Sequence, residues 1–191
     1  MGIFERLRYL SHLGGSDDIA RRYFVVNGFD GALTMLGLIA GFQFSGTGDL
    51  KLMISGCTGA AIALGISGVT SAYLSESAEQ RRSLSELEEA MISDLSNSEH
   101  ANAAKILPVM VAMTNGLSPL LLSVIIISPL WLAHAGVSLP LAPLTLAIIL
   151  ALTCIFLLGV FLGNIGGTSW LVSGVKTLLI AVVTMILIML L

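Results

Sequence analysis

The sequence predicts an all-α integral membrane protein with five transmembrane helices and a short acidic helical insertion on the cytoplasmic side between helices 2 and 3. Of the 191 residues, 55% are hydrophobic and only 11% are charged, and the mean hydropathy is +0.94. Five apolar runs are long enough to cross a hydrocarbon core of roughly 30 Å. We expect helices because a backbone in lipid must satisfy its own hydrogen bonds, unless it closes into a barrel.

Windows of about 20 residues locate the five spans. These spans are Tyr23 to Phe44, Leu52 to Leu74, Ile106 to Ala133, Leu141 to Leu162, and Leu171 to Leu191. The predicted organisation is therefore an N-terminal interfacial segment (1–22), helices 1 and 2 (23–74), the acidic segment (75–105) and helices 3 to 5 (106–191).

The segment before the first span has an amphipathic pattern. Apolar residues recur at three-residue intervals, namely Phe4, Leu7, Leu10 and Leu13, and Arg6 and Arg8 lie between them. This spacing is typical of a helix lying on a membrane surface, and a regulatory or ligand-binding role is the alternative. No cleavage site with small residues follows, so the first span is expected to be retained rather than removed as a signal peptide.

The basic residues predict the orientation of the spans. If five helices alternate, eight of the nine Lys and Arg residues fall on one side, and Lys51 alone lies opposite. Basic residues are enriched in cytoplasmic loops, so the N-terminus and the acidic segment are expected in the cytoplasm and the C-terminus outside. Without an organellar targeting signal, a prokaryotic plasma membrane is the default expectation.

A carboxylate in the first span, Asp30, is the strongest indication of function. At helical spacing it shares a stripe with Asn27, Thr34, Gly37 and Gly41, so we expect one polar or small side on this helix and lipid around the rest. A charge at membrane depth costs at least about 2.5–3.5 kcal/mol and usually marks a functional site. The stripe predicts an ion path, and the alternative is an Asp that hydrogen-bonds a neighbouring helix.

Small residues and prolines predict how the spans pack. Small residues allow close approach of helices, and the second span contains several of them: Gly56, Ala60, Gly65, Gly68 and Ala72. The third span contains Pro108, Pro119 and Pro129. Because proline frees a carbonyl group of the preceding turn, Asn115 or Ser118 is expected to hydrogen-bond such a group, and a role for Asn115 on a transport path is the alternative.

The acidic segment predicts a helix with one apolar and one acidic face. The apolar face consists of Leu84, Leu87, Met91 and Leu95, and the acidic residues form two pairs at three-residue spacing, Glu76 with Glu79 and Glu86 with Glu89. Such pairs repel each other when ionised and could bind a divalent cation, although most runs of Glu are simply solvated. A capping box at Ser83 and Glu86, or at Ser85 and Glu88, would apply only if the helix starts afresh.

The remaining candidate ligands have ordinary structural explanations. Cys57 and Cys154 lie inside predicted spans without a nearby metal-ligand spacing, and the methionines, including Met35, are better explained as apolar filling. Single histidines such as His100 carry little weight. The net charge of −3 argues against a nucleic-acid partner. No nucleophile with a neighbouring base is recognisable, so we expect no enzyme and no cofactor.

Three stretches resemble the vacuolar iron transporter family. They are "VVNGFDGALTMLGLIAGF" in the first span, "GVTSAYLSESAEQRR" at the end of the second, and "LLGVFLGNIGGTSWLVSGVKTLLI" across the last two. The resemblance extends over nearly the whole chain, and it includes five spans, a cytoplasmic N-terminus and an acidic helical insertion. Two places on the second span differ, since the Glu and the Met of the family are replaced by Ala60 and Gly68.

The resemblance implies a homodimer that exports Fe²⁺ or Mn²⁺ from the cytoplasm in exchange for protons. The path would run along the dimer interface, the metal-binding Asp would be Asp30, and Glu76, Glu79, Glu86 and Glu89 would collect the metal. Asn27 and Thr34 are expected to line the path beside Asp30. The alternatives are a non-transporting scaffold that binds a protein through the apolar face of the acidic segment, and a transporter of another cation or small solute.

Overall fold

The computed structural model of the chain describes the backbone of residues 16–190 and the side chains of residues 21–190, and the regular secondary structure of this part is all α-helix. Its five helices are α1 (Ser16–Ser45), α2 (Leu50–Met91), α3 (Glu99–His134), α4 (Pro143–Ile165) and α5 (Trp170–Met189). All five are long and apolar enough to cross a membrane, which confirms the predicted helical class. The predicted amphipathic segment at residues 1–15 lies outside the described residues, and residues 16–22 belong to α1.

The acidic segment begins as a continuation of α2. With 42 residues at 1.5 Å per residue, α2 is about 63 Å long, roughly twice the thickness of a hydrocarbon core. Ser83 and Ser85 lie in the interior of this helix, so neither forms a capping box. A turn then leads to α3, which begins at Glu99.

Side chains before α2 and α3 cap the starts of these helices. Asp49 Oδ1 accepts hydrogen bonds from the N–H groups of Lys51 (2.9 Å) and Leu52 (3.3 Å). Ser98 Oγ accepts one from the N–H of Ala101 (3.2 Å). Each cap satisfies backbone donors that have no partner inside the helix.

The residue after α2 has the left-handed backbone conformation that is usual for glycine, but it is an isoleucine. The N–H groups of Ile92 and Ser93 donate to the carbonyl oxygens of Glu89 and Glu88, each at 3.3 Å, which is the Schellman pattern. Ile92 has φ +49° and is 94% exposed. A β-branched residue is strained in this region, so the turn is held by its hydrogen bonds and not by the preference of residue 92.

The chain forms two compact units. The first contains the described part of Met1–Phe24 together with Gly65–Leu117, so its main element is a hairpin of the C-terminal half of α2 and the N-terminal half of α3. The second contains Val25–Leu64 and Ser118–Leu191.

The hydrophobic core of the second unit is built by all five helices. Its fully buried members include Met35, Leu36, Ile39, Cys57, Ile126, Ile127, Leu130, Ile155 and Ala181. The side of α1 away from the polar stripe is therefore packed in protein. The expectation that this side faces lipid is wrong, because α1 is a central helix whose apolar residues supply much of the core.

Two glycines bring α1 against α3 in the second unit. A Cβ added at Gly31 would lie 2.7 Å from Pro119 Cα and 2.9 Å from its carbonyl oxygen. One added at Gly28 would lie 2.8 Å from Ser118 Oγ. No other residue would fit at these two positions without moving a neighbour, so the glycines set the distance between the two helices.

The helices α4 and α5 form a second close pair in this unit. A Cβ on Gly163 would lie 2.7 Å from Ser173 Oγ, and one on Gly174 would lie 2.5 Å from the Phe156 ring. Thr177 Oγ1 shares its hydrogen between the carbonyl oxygen of Gly174 in its own helix, at 2.8 Å, and that of Ile155 on α4, at 3.2 Å. Close packing and an interhelical hydrogen bond act together here, as is typical of helices without a hydrophobic drive between them.

In the first unit, a buried amide joins α2 and α3. Asn115, only 4% exposed, donates from Nδ2 to the carbonyl oxygen of Gly68 at 2.7 Å. A Cβ on Gly68 would lie 3.0 Å from Gly116 Cα, so these backbones nearly touch. This hydrogen bond of Asn115 is an interhelical contact to α2, as a structural explanation of the residue requires.

At Pro129 a hydroxyl compensates for the missing N–H of proline. The carbonyl oxygen of Ile125, four residues earlier, would normally accept that N–H. Ser128 Oγ donates to it instead, at 2.7 Å. The neighbouring serine thus allows α3 to continue through proline.

We predict that Gly31→Ala destabilises the protein by about 1–3 kcal/mol, because the new methyl group would overlap the backbone of Pro119. Gly41→Ala is the matched control on the same helix, since a Cβ there meets nothing within 4 Å, and it should be neutral or slightly stabilising. Thermal unfolding of the purified variants measures both. Equal stability of the two variants would contradict the close approach at Gly31.

We predict opposite effects for two buried polar residues of α3. Asn115→Ala should cost about 0.6–2 kcal/mol, because it removes the hydrogen bond to Gly68. Ser123 is fully buried and its hydroxyl has no hydrogen-bond partner among the described residues, so Ser123→Ala should be neutral or stabilise by up to about 1 kcal/mol. Unfolding in denaturant compares the two, and a larger loss for Ser123→Ala would refute this assignment.

Candidate functional site

Asp30 is an isolated charge on the accessible side of α1. It is the only exposed residue between Asn27 and Phe42, and within the described residues it makes no hydrogen bond or ion pair. It lies seven residues beyond Tyr23, where the first predicted span begins. This distance is about 10 Å along the helix axis. A carboxylate in this position is accessible to a cation.

The glycines on either side of Asp30 determine where it points. Gly28 and Gly31 face α3, and at 100° per residue Asp30 lies roughly 130° around the helix from their mean direction. The sequence "NGFDG" therefore has two functions in one turn. Its glycines bind α1 to α3, and its aspartate is left on the opposite side.

Asn27 and Thr34 flank Asp30 on the same side of α1. Both are half-buried, and they stand one turn before and one turn after Asp30, as the predicted stripe requires. Their side chains offer an amide oxygen and a hydroxyl oxygen next to the carboxylate. This side of α1 thus presents oxygen atoms from three residues.

On α2 the structure separates two sets of small residues. Gly65, Gly68 and Ala72, which the sequence indicated, are buried. The exposed side instead carries a hydroxyl-containing stripe, consisting of Ser55, Gly59, Ala63, Ser67 and Thr70. This second stripe was missed, although the recurrence of small residues and hydroxyls every three or four positions could have revealed it.

Ala60 and Gly68 on α2 have different surroundings. Ala60 is half-buried. Gly68 is buried, and a Cβ there would lie 3.1 Å from the carbonyl oxygen of Asn115. A larger side chain at residue 68 would therefore have to displace α3.

The four candidate glutamates lie along the C-terminal part of α2, and they have different partners. Glu76 accepts a hydrogen bond from Gln80 Nε2 at 2.8 Å, and Glu86 pairs with Arg82 Nε at 2.8 Å. Glu79 and Glu89 are exposed. No group of three or more His, Cys, Asp or Glu side chains that could hold a metal occurs in the described part of the chain. Asp30 and these glutamates belong to different units.

The turn after α2 has further acidic groups. Glu88 Oε1 accepts the N–H of Leu95 at 3.0 Å, and Asp94 Oδ1 accepts the N–H of Ser96 at 2.8 Å. The hydrogen bonds from Ser96 lower the pKa of Asp94. These carboxylates stabilise the turn through hydrogen bonds to its backbone, which gives both of them a structural role.

The apolar face of the acidic segment is largely used within the hairpin. Leu84 and Leu87 line a groove between α2 and α3, together with Ala103, Ala104 and Leu107. Both are half-buried, whereas Met91 is 57% exposed. Only the end of this face is therefore open to a partner.

The sulfur-containing side chains of α1 and of the N-terminal half of α2 point into the core. Met35 and Cys57 are fully buried, and Met53 is 3% exposed. Cys154 on α4 is half-buried and is a free thiol, as is Cys57. These positions agree with the structural explanation of the residues as apolar filling.

Comparison with known proteins gives one informative similarity. The chain is 28% identical over 158 residues to an uncharacterized protein of the archaeon Methanocaldococcus jannaschii, and the match covers 81% of this chain and 79% of that protein. No protein-family model matches the chain. No solved structure matches it significantly.

Proposed function

We propose that the chain is an integral membrane protein that moves a divalent cation, Fe²⁺ or Mn²⁺, out of the cytoplasm in exchange for protons. The observation that supports this most directly is Asp30, an exposed carboxylate without a partner among the described residues, on a helix that is long and apolar enough to cross a membrane. The resemblance of "NGFDGALT" to the vacuolar iron transporters gives the same assignment.

The energy of Asp30 in a membrane depends on what covers its carboxylate. An ionised carboxylate facing lipid costs at least about 2.5–3.5 kcal/mol, and intramembrane acids therefore face a protein partner or a water-filled path. In the described part of the single chain nothing pairs with Asp30. We infer that a second copy covers this side and that the path lies between the two copies.

The small residues on the exposed side of α2 suit such a homodimer. Helices in lipid associate where small side chains permit close approach, and the stripe from Ser55 to Thr70 offers them on an accessible surface. In a two-fold dimer the same patch is used by both copies. Each copy would then contribute its own Asp30 to the path.

The proposed transport cycle needs two carboxylate sites. Glu79 and Glu89, exposed on α2, would collect the cation from the cytoplasm, and Glu76 and Glu86 would join them after leaving their present partners. Asp30 would bind the partly dehydrated ion together with Asn27 and Thr34. Protonation of Asp30 would then release the ion outside.

The length of α2 supports the proposed topology. A hydrocarbon core of about 30 Å accommodates only half of a 63 Å helix, so the acidic C-terminal part would extend into water. The distribution of basic residues favours a cytoplasmic location for that part and for the N-terminus, with the C-terminus outside. The archaeal relative is compatible with a prokaryotic plasma membrane.

A non-transporting scaffold of the same architecture is the second candidate. It is favoured by Ala60 and Gly68, which leave the second span without the Glu and the Met of the resembled family. It is disfavoured by the hairpin groove, because Leu84 and Leu87 are already partly covered. A transporter of another cation would keep the role of Asp30 and make the glutamates incidental.

We predict that Asp30→Asn abolishes Fe²⁺ and Mn²⁺ flux in proteoliposomes with an imposed pH gradient, while folding and oligomeric state are retained. The amide has nearly the same shape but carries no charge and does not take up the proton. Asp49→Asn is the matched control, since asparagine caps a helix as well as aspartate, and it should transport normally.

Two outcomes would contradict this proposal. Wild-type flux in Asp30→Asn would remove Asp30 from the path. Absence of flux and of divalent-ion binding in wild-type protein, after reconstitution is verified, would favour the scaffold.

We predict a graded effect for the acidic part of α2. Combined Glu79→Gln, Glu86→Gln and Glu89→Gln should weaken Mn²⁺ binding about tenfold and reduce flux at low Mn²⁺ more than at saturating Mn²⁺, because these residues would collect the ion without forming the path. Isothermal titration and flux at several Mn²⁺ concentrations test this. An unchanged affinity would make the glutamates incidental.

A further inference from the structure

We propose that the groove between α2 and α3 in the first unit is the docking site of an earlier segment of the same chain, residues 4–13. This segment lies outside the described residues, and its sequence supports the assignment together with the described surface of the hairpin. The interaction is internal to the chain and does not depend on the proposed transport.

The groove has room for one large apolar side chain. Leu84 and Leu87 of α2 line it, both half-buried, together with Ala103, Ala104 and Leu107 of α3. Its volume is about 140 Å³, and an apolar cavity of about 150 Å³ holds a benzene molecule. The groove is therefore too small for a broad protein interface, but it suits a short segment with a single aromatic anchor.

The segment before α1 has side chains that match such a groove. At 100° per residue on a helix, Phe4, Leu7 and Leu10 lie within about 120° of one another. Ser11 falls between Phe4 and Leu7 on the same side. Phe4 supplies a phenyl ring of the size that the groove accepts, and the leucines would cover the apolar surface around it.

Charge favours the hairpin over a lipid surface as the partner of this segment. The segment has only two basic residues, Arg6 and Arg8, at the two edges of its apolar side. Recognition of anionic lipid usually takes a cluster of about four to eight basic residues. Residues 75–105 contain seven acidic side chains against three basic ones, and Glu79 and Glu89 are exposed. The hairpin thus offers the opposite charge beside an apolar groove.

The chain leaves α1 at the level of the groove. α1 begins at Ser16, seven residues before the predicted start of the first span at Tyr23, which is about 10 Å along the axis. The α2 side of the groove begins at Gln80, six residues or about 9 Å after the predicted end of the second span at Leu74. The start of α1 and the hairpin also belong to one compact unit. A pair of glycines directly before Ser16 allows the chain to change direction there.

Thiol alkylation of the full chain in lipid nanodiscs tests the docking. Ser83→Cys places a thiol in the groove, and the rate of its reaction with a water-soluble maleimide measures how often the groove is open. Combined Phe4→Ser and Leu7→Ser should raise this rate about tenfold, because an effective concentration of about 1 mM and a Kd of about 0.1 mM keep the groove about 90% occupied. The chain without an added thiol gives the background from its two native cysteines.

A matched control and a second variant make the result specific. Ser85→Cys introduces a thiol at an exposed position of α2 that does not line the groove, and its rate should be the same with and without the two serine substitutions. Arg6→Glu with Arg8→Glu should raise the rate at the groove by a smaller factor, about threefold, and high salt should remove the difference. An unchanged rate at Ser83→Cys in the serine variant would overturn the docking and favour the membrane surface as the place of the segment.

Cross-linking identifies which copy of the chain supplies the segment. Ser11→Cys combined with Ser83→Cys should be joined within one chain by a short bis-maleimide, because residue 11 lies on the apolar side of the segment. The two single variants reconstituted together should give no cross-linked dimer. A dimer formed from them would show that a second copy occupies the groove, and it would overturn docking within the chain.

Discussion

The contact between Gly31 of α1 and Pro119 of α3 is the constraint on which the second unit depends. At this point the two backbones approach so closely that a single methyl group would not fit. The contact fixes the rotation of α1, because only the side with the glycines can face α3. Core packing by Met35, Leu36 and Ile39 then follows on one side, and Asp30 is left on the other.

A second constraint governs the first unit, where one hydrogen bond and one close approach coincide. The side chain of Asn115 reaches the carbonyl oxygen of Gly68 because Gly68 and Gly116 hold the helices together at that level. A hydrogen bond of this kind is worth only about 0.6 kcal/mol on average in a membrane protein, so its main effect is to specify the register of the hairpin.

The sequence could predict what depends on composition and periodicity. Apolar runs of sufficient length gave the five helices, and helical spacing placed Asn27, Asp30 and Thr34 on one side of α1. Small residues could not be sorted in the same way. Gly68 is buried against a neighbouring helix while Gly59 is exposed, and glycine satisfies both situations equally well because it has no side chain to show a preference. Gly59 and Ala63 therefore gave no sign of their exposure, and only the recurring hydroxyls of Ser55, Ser67 and Thr70 marked this side of α2.

Other features were beyond sequence reasoning because they depend on competing local interactions. The continuation of α2 through Ser83 could not be distinguished from a new helix start, since serine suits both a cap and an exposed helical position. Ile92 has a left-handed backbone conformation, which isoleucine disfavours. Only the hydrogen bonds of the surrounding turn explain this conformation. The metal-collecting role of the glutamates stays a prediction, because the described chain brings no three of them together.

The burial of sulfur on α1 and on the N-terminal half of α2 also affects chemical durability. Methionine and cysteine are oxidised according to their exposure, and redox-active metals generate oxidants close to where they bind. Met35, Met53 and Cys57 are shielded by the core, so damage would begin at accessible thioethers such as Met91, Met113 and Met189, which are 46–68% exposed. Oxidation of these exposed side chains would leave the core of the second unit intact.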